Sequence, residues 1–261
     1  MNFRERVALV TGSTQGIGLA VAEVMARHGA SIALHGLCSR DQGERQAEEL
    51  GERWGVPVRF FAGDLSQADA CAELVDDVTS AFGRLDVLVN NAGIQHTAAL
   101  ENFPVDRWDA IQAINLRAPF LLMRRALPIM RRQRWGRIVN IASVHGLVAS
   151  VNKAAYCAAK HGLVGLTRVA ALETARDGIT VNAICPGWTA TPILEPQIQA
   201  RGEEKGLDRE DAIRDLVVEK QPNALLMPPS WIGETVAFLC GEAAAGITGT
   251  AMPVDGGWTA Q

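Results

Sequence analysis

Short apolar runs alternate with longer amphipathic segments along the whole chain, and this rhythm leaves few folds open. Val7–Val10, Ile32–His35, Val58–Phe61, Val87–Asn90, Ile138–Ala142, Thr180–Ile184 and Met252–Val254 read as strands. Between them, Gly16–His28 (stopped by Gly29), Glu44–Trp54, Ala68–Phe82 (stopped by Gly83), Trp108–Leu116, Phe120–Arg132, Ala155–Ala175 and Trp231–Cys240 read as helices. Alternation of this kind predicts an α/β fold, a doubly wound parallel sheet with helices on both faces. Ligands of such sheets bind at the carboxyl ends of the strands. No repeat, low-complexity stretch or linker divides the sequence, so residues 1–261 are expected to form a single domain. The stretch from about 191 to 229 breaks the rhythm with five prolines and many charges. It reads either as a helical substrate lid near the C-terminal third or as an ordinary helical insertion.

Composition narrows the function. With 29 acidic and 25 basic residues the net charge is −4, which gives no basic stripe for nucleic acid or for a polybasic membrane contact. The five cysteines are scattered with no CxxC pair, which fits neither a disulfide framework nor a zinc site, so no metal is expected. Absence of a long apolar run and of a signal-type N-terminus leads to the expectation of a cytoplasmic protein.

The first strand runs into Thr11-Gly12-Ser13-Thr14-Gln15-Gly16-Ile17-Gly18, which opens the first helix. Glycines let the backbone turn tightly and approach a pyrophosphate, and the helix N-terminus offers free N–H groups to it. In that context the turn predicts a Rossmann-type dinucleotide site. The second strand ends in His35-Gly36-Leu37-Cys38, without the acidic residue that reads a ribose 2′-hydroxyl. Leu37 offers a 2′-phosphate no charge and so favours NAD; nearby Arg40 leaves NADP open. Asp64, ending the third strand with Leu65, either accepts from adenine or caps through Ser66. Asn90-Asn91-Ala92-Gly93 ends the fourth strand with residues small enough to pack on a cofactor and an amide able to tie strands together.

Tyr156 is the single tyrosine, and Lys160 follows at i+4 on the same helical face. An ammonium about 5 Å away favours a phenolate by about 3 kcal/mol at an effective dielectric near 20, which predicts a general acid/base working near pH 7–8. Ser143, just past the fifth strand, is placed to hydrogen-bond a substrate oxygen. Asn115, polar within an apolar helix, is expected to kink it and hold a water against Lys160.

Thr11–Gly18, Asp64, Asn90–Gly93, Asn115, Ser143, Tyr156-x-x-x-Lys160, Pro186-Gly187 and Val254-Asp255-Gly256-Gly257 together resemble the short-chain dehydrogenase/reductase family over essentially the whole chain. The departure is Leu37, where many NAD-using members carry Asp. The resemblance implies that Tyr156 transfers the proton, Ser143 steadies the substrate oxygen, Lys160 lowers the Tyr156 pKa and holds the nicotinamide ribose, and Asn115 supports a water relay. It also places Pro186, Gly187 and Thr191 near the carboxamide and phosphates.

Gln95, His145, Lys153 and Gln197 surround this machinery in sequence and offer a cation, an imidazole and two amides. The spacing predicts Lys153, Tyr156 and Lys160 on one helix face, and the set suits a small carboxylate. Trp188 and Trp258 read either as an apolar pocket wall or as packing. The stretches 93–97, 143–150, 184–188, 219–222 and 256–260 are similar to those of bacterial D-3-hydroxybutyrate dehydrogenases, a group within the family. That similarity implies oxidation of (R)-3-hydroxybutyrate by NAD, a carboxylate held by Gln95, His145, Lys153 and Gln197, and a homotetramer. The competing readings are a 3-oxoacyl thioester or polyol oxidoreductase and a non-catalytic NAD-binding sensor.

Overall fold

Seven strands pair in the order β3-β2-β1-β4-β5-β6-β7, every pair parallel. They are β1 (Val7–Val10), β2 (Ser31–Gly36), β3 (Val58–Ala62), β4 (Val87–Asn90), β5 (Gly136–Ile141), β6 (Ile179–Pro186) and β7 (Ala251–Val254). The computed structural model describes residues 1–260. β1, β4, β5 and β6 are buried along their whole length, as their largely apolar runs require for strands covered on both faces.

The described residues form nine α-helices, all but α7 and α8 packed about the sheet: α1 (Gly16–Arg27), α2 (Arg40–Trp54), α3 (Ala68–Phe82), α4 (Val105–Gln112), α5 (Ala118–Gln133), α6 (Ala154–Thr174), α7 (Glu195–Lys205), α8 (Arg209–Val218) and α9 (Pro229–Cys240). On one face α1 packs against α9 around Val21, Met25, Ile232 and Val236. On the other, α3 and α5 close over Leu9, Leu88 and Ile138.

Local chemistry moved two expected boundaries. The second helix begins at Arg40 because the Ser39 hydroxyl accepts the Gln42 N–H and caps it, a signal hidden in the polar run before Glu44. The two helices expected around Trp108–Leu116 and Phe120–Arg132 are one continuous run, joined by a single π-helical stretch at Ala113–Arg117 centred on buried Asn115.

Strand order reverses between β1 and β4, and side chains lock that seam. The Thr11 hydroxyl accepts the N–H groups of Asn91 and Ala92, each at 3.0 Å. The Asn91 amide donates to the carbonyls of Thr11 at 2.9 Å and Gly12 at 3.0 Å. One layer deeper, buried Asn140 of β5 accepts from Asn90 of β4 at 2.7 Å and donates to Thr167 of α6 at 2.8 Å. Asn90 and Asn91 therefore tie neighbouring strands, as expected of that segment.

From Thr191 to Pro228 the chain leaves the sheet. A 3₁₀ turn (Pro192–Leu194), α7 and α8 pack on a separate apolar cluster that includes Trp188, Ile198, Leu216 and Trp258. Arg201 of α7 bonds Asp215 of α8 at 2.7 Å and Glu219 just beyond it at 2.6 Å, and Lys205 bonds Asp215 at 2.7 Å, so the two helices form one clasped pair.

Replacing Asn140 by Ala strands the buried Asn90 amide without its acceptor. The expected loss is about 2–3 kcal/mol of unfolding free energy in urea. A change below about 0.5 kcal/mol would show that the seam does not need this bridge.

Candidate active site

A cavity of about 330 Å³ opens at the carboxyl ends of the strands, over the β1–β4 seam. One end is lined by Gly12, Thr14, Gly16, Ile17, Gly36, Leu37, Asp64, Leu65, Asn91, Ala92 and Gly93. The other is lined by Gln95, Ser143, His145, Lys153, Tyr156, Lys160, Pro186, Gly187, Trp188, Thr191 and Trp258. Most of the residues singled out in the sequence thus meet in one space.

Ser13 and Gly18 do not line it. Ser13 is fully buried and its hydroxyl accepts the His35 N–H at 2.9 Å, so it fastens the turn to β2. A Cβ on Gly18 would collide with the Gly12 carbonyl and the Asn91 amide, so Gly18 serves close packing of α1 on the seam. Gly16 has φ 56°, in the left-handed region, and lies under Thr191, which reaches over the turn from the far side.

The first end fits a dinucleotide. α1 starts at Gly16 with no side-chain cap and no acidic residue in its first turn, so its free N–H groups face the cavity. No Lys or Arg lines this end, Leu37 is 72% exposed, and Arg40 pairs with Glu44 at 3.6 Å. Asp64 closes a local turn at the cavity edge: its two oxygens accept from the Ser66 N–H at 2.9 Å and hydroxyl at 2.8 Å, which hold its carboxyl below the ordinary range, while α3 itself begins after Gln67 without a side-chain cap.

His35 sits beneath this end, unremarked in the sequence because a histidine closing an apolar strand looks like core. Its Nδ1 accepts the Gly12 N–H at 3.2 Å, so Nε2 carries the proton and donates to the Gly63 carbonyl at 3.0 Å. Burial holds it neutral, down to about 4.

At the reactive end, one expectation needs correction. Asn115 sits in the π-helical stretch, and its amide donates to the Ile94 carbonyl and accepts the Ile94 N–H, both at 2.9 Å, which clamps the loop after β4. Lys153 immediately precedes α6 and lines the same cavity as Tyr156 and Lys160. The Tyr156 phenol is not lowered: burial pushes it up to about 12, against a lowering contact from the Ser143 hydroxyl. Tyr156 keeps part of its surface open to the cavity, so the size of that rise depends on what fills the space. The Lys160 ammonium lies 5.6 Å from the ring centroid and donates to the Ile141 carbonyl at 2.7 Å. Burial lowers Lys160 itself to about 8.

Lys153 organises the remaining polar groups. Its ammonium donates to Gln197 Oε1 at 2.8 Å and to His145 Nε2 at 3.3 Å, and lies 5.1 Å from the centre of the Trp188 ring. A lysine only donates, so His145 must accept through Nε2 and carry its proton on Nδ1. Burial and the Lys153 charge hold His145 down to about 4, while burial lowers Lys153 to about 8. On two side chains that meet this ammonium, Trp188 Nε1 and Gln197 Nε2 are buried without partners. His145 stands edge-on between Tyr156, at 6.1 Å, and Trp258, at 5.5 Å, so this donor cluster adjoins the phenol. Gln197 lies on α7 and enters the site through Lys153 rather than by lining the cavity. Among the described residues no group of His, Cys, Asp and Glu is placed to hold a metal, and no helix is long and apolar enough to cross a membrane.

The family model described as enoyl-(acyl carrier protein) reductase matches residues 12–259. D-beta-hydroxybutyrate dehydrogenase of Cupriavidus necator is 49% identical over 256 residues, 98% of each chain. The protein of the same description from Rhizobium meliloti is 43% identical, over 98% of this chain and 99% of its own. The crystal structure of levodione reductase superposes with a TM-score of 0.92 at 35% identity, covering 99% of both chains.

The two depressed histidines give the fold a signed pH dependence. His35 and His145 have folded values of about 4 against an ordinary 6.5. Between those limits the unfolded chain binds up to two more protons, so stability rises with pH across the window and is lost as acid is added. In urea unfolding between pH 4.5 and 6.5, His145→Asn is expected to remove about one proton from that uptake. An unchanged pH slope would show that His145 is not held neutral.

Proposed function

The chain belongs to the short-chain dehydrogenase/reductase family, and from that premise we propose that it is an NAD-dependent 3-hydroxybutyrate dehydrogenase. The observation that carries the proposal is the buried Lys153 ammonium, which bonds only the neutral groups of His145 and Gln197 and lies in the cavity beside Tyr156. Such a cluster suits a carboxylate, which accepts through two oxygens. Only one carbon separates the carboxyl of a 3-hydroxy acid from its carbinol carbon, which matches an anchor adjoining the phenol.

In oxidation, bound NAD⁺ would supply the hydride acceptor. Lys153, His145, Gln197 and Gln95 fix the carboxylate and thereby the orientation of the carbinol. Ser143 bonds the substrate oxygen, and Tyr156 takes the hydroxyl proton. The Lys160 ammonium at 5.6 Å favours the phenolate by about 3 kcal/mol at an effective dielectric near 20, which opposes the upward push of burial. Asn115 acts by fixing Ile94 and hence the loop that carries Gln95.

NAD is favoured over NADP by the uncharged lining around Leu37. The proposed cofactor contacts are Gly12, Thr14, Gly16, Ile17, Leu37, Asp64, Leu65, Asn91–Gly93, Pro186, Gly187 and Thr191. The segment 191–229 is read as a substrate lid because α7 carries Gln197 to Lys153. Exposed Phe120 on α5 and Val169 and Leu172 on α6 support a homotetramer built on those helices. The five free thiols agree with a cytoplasmic enzyme.

NADH formation from NAD⁺ and (R)-3-hydroxybutyrate tests the reading, with the (S) isomer, NADP⁺ and a 3-hydroxyacyl thioester as controls. Turnover of the (R) acid with NAD⁺ is the expected result; turnover of the thioester alone would overturn it. Tyr156→Phe is expected to lower kcat at least about 10³-fold while NADH still binds. Lys153→Ala is expected to raise KM for the acid about 100-fold, and an unchanged KM would remove it from the anchor.

A further inference from the structure

The segment Glu219-Lys220-Gln221-Pro222 has no place in the chemistry above, yet it holds a fully buried amide. Gln221 Oε1 accepts the backbone N–H of Trp188, and its Nε2 donates to the Leu225 carbonyl at 2.6 Å. Its own N–H bonds the Val217 carbonyl at 2.8 Å and its carbonyl accepts from Ala224 at 2.9 Å, so its backbone is fixed as well. Gly187 faces the same oxygen, and a Cβ there would collide with it. Trp188 is otherwise held by its carbonyl, which accepts from Met227 at 3.0 Å.

The consequence lies in what Trp188 touches. Its ring lies under the Lys153 ammonium at 5.1 Å and meets Trp258 at 5.4 Å. The clasped α7–α8 pair therefore reaches the pocket at two points. Gln197 meets Lys153 directly, and Gln221, just past α8, meets Lys153 through Trp188. If the Gln221 bond is lost, the Trp188 N–H is buried without an acceptor and the wall beneath Lys153 is free to move.

We propose that Gln221 is a positioning residue for the carboxylate end of the pocket, holding Trp188 and thereby the Lys153 ammonium in register with Gln197. The role rests on the reading of that end as a carboxylate anchor. Gln221 touches neither substrate nor cofactor, and its effect falls on substrate affinity rather than on the proton or hydride steps.

The test is Gln221→Met, which keeps the volume and removes both polar atoms. KM for (R)-3-hydroxybutyrate is expected to rise about 10-fold, with kcat and the Kd for NADH changed less than about twofold. In a Trp188→Phe background the same substitution is expected to add less than about twofold to KM. A lowered Tm with KM unchanged, or effects that multiply fully in the double variant, would make Gln221 merely structural and overturn the proposal. If Gln221→Met does not fold, Gln221→Asn, which stays polar but is too short to keep both the Trp188 and Leu225 bonds, takes its place with a comparable rise in KM expected; no rise in that variant would equally overturn the proposal. If the unaltered enzyme does not turn over the hydroxy acid, the functional reading fails separately. Tryptophan emission then decides the positioning role. Gln221→Met must shift emission in the natural chain and not in Trp188→Phe, and equal shifts in both would overturn it.

Discussion

Everything in this molecule follows from the rule that parallel neighbours are joined by a helix crossing one face of the sheet. Crossings that run outward from β1 on one face and from β4 on the other must diverge at the β1–β4 seam. There the loops after two adjacent strands part, and a crevice opens that no side chain of the core fills. The Thr11 hydroxyl and the Asn91 amide close the floor of that crevice by satisfying the main chain on both sides. Glycines at 12, 16 and 18 then let α1 start directly against it, with free N–H groups aimed into the opening.

The other end is built by a different kind of constraint. Lys153 and Lys160 are both buried, and among the described residues neither forms an ion pair with a carboxylate. Each is held by neutral acceptors: Gln197 and His145 for the first, the Ile141 carbonyl for the second. Burial lowers both to about 8, so their charge at neutral pH is retained against desolvation. A fold selected for stability alone has no reason to keep such groups, or to bury His145 beside one of them. On the proposed reading the missing counter-charge is the substrate itself, and the stability forgone by the free protein is regained as binding energy.

Much of this was legible in the sequence, for identifiable reasons. Unbroken apolar runs marked the central strands, glycines at 29 and 83 marked helix ends, and the turn from Gly12 to Gly18 marked the nucleotide end. The single tyrosine with Lys160 one turn away drew attention to the reactive end. What escaped was geometry set by tertiary contacts. The clamp that Asn115 makes was out of reach because its partner, the Ile94 backbone, is 21 residues away. The upward push on Tyr156 was invisible because a sequence shows the neighbouring charge at i+4 and not the burial that opposes it. Gln221 entered only as part of the resembling stretch 219–222, with no role attached, since a glutamine in a charged run looks solvated until the chain folds over it.

The same donor cluster bears on selectivity between an acid and a thioester. A pocket that merely tolerates a carboxylate gains little discrimination, because an uncharged group of similar size fits equally well. On the proposed reading, rejection follows from what would be left behind. With a thioester in place, the buried Lys153 charge would keep only its neutral acceptors, Gln197 and His145, and gain no counter-charge. Sites that leave buried polar groups unpaired with the wrong substrate reach discrimination of about 10⁴ or more, against about 10² for shape alone. The proximity of His145 to Tyr156, 6.1 Å between rings, adds a second filter. On the proposed reading, a carboxylate seated on the cluster brings a 3-hydroxyl to the phenol, while a longer spacing between the two groups carries the carbinol past it. Charge would then select the acid, distance the position of the alcohol, and the uncharged end of the cavity near Leu37 the cofactor.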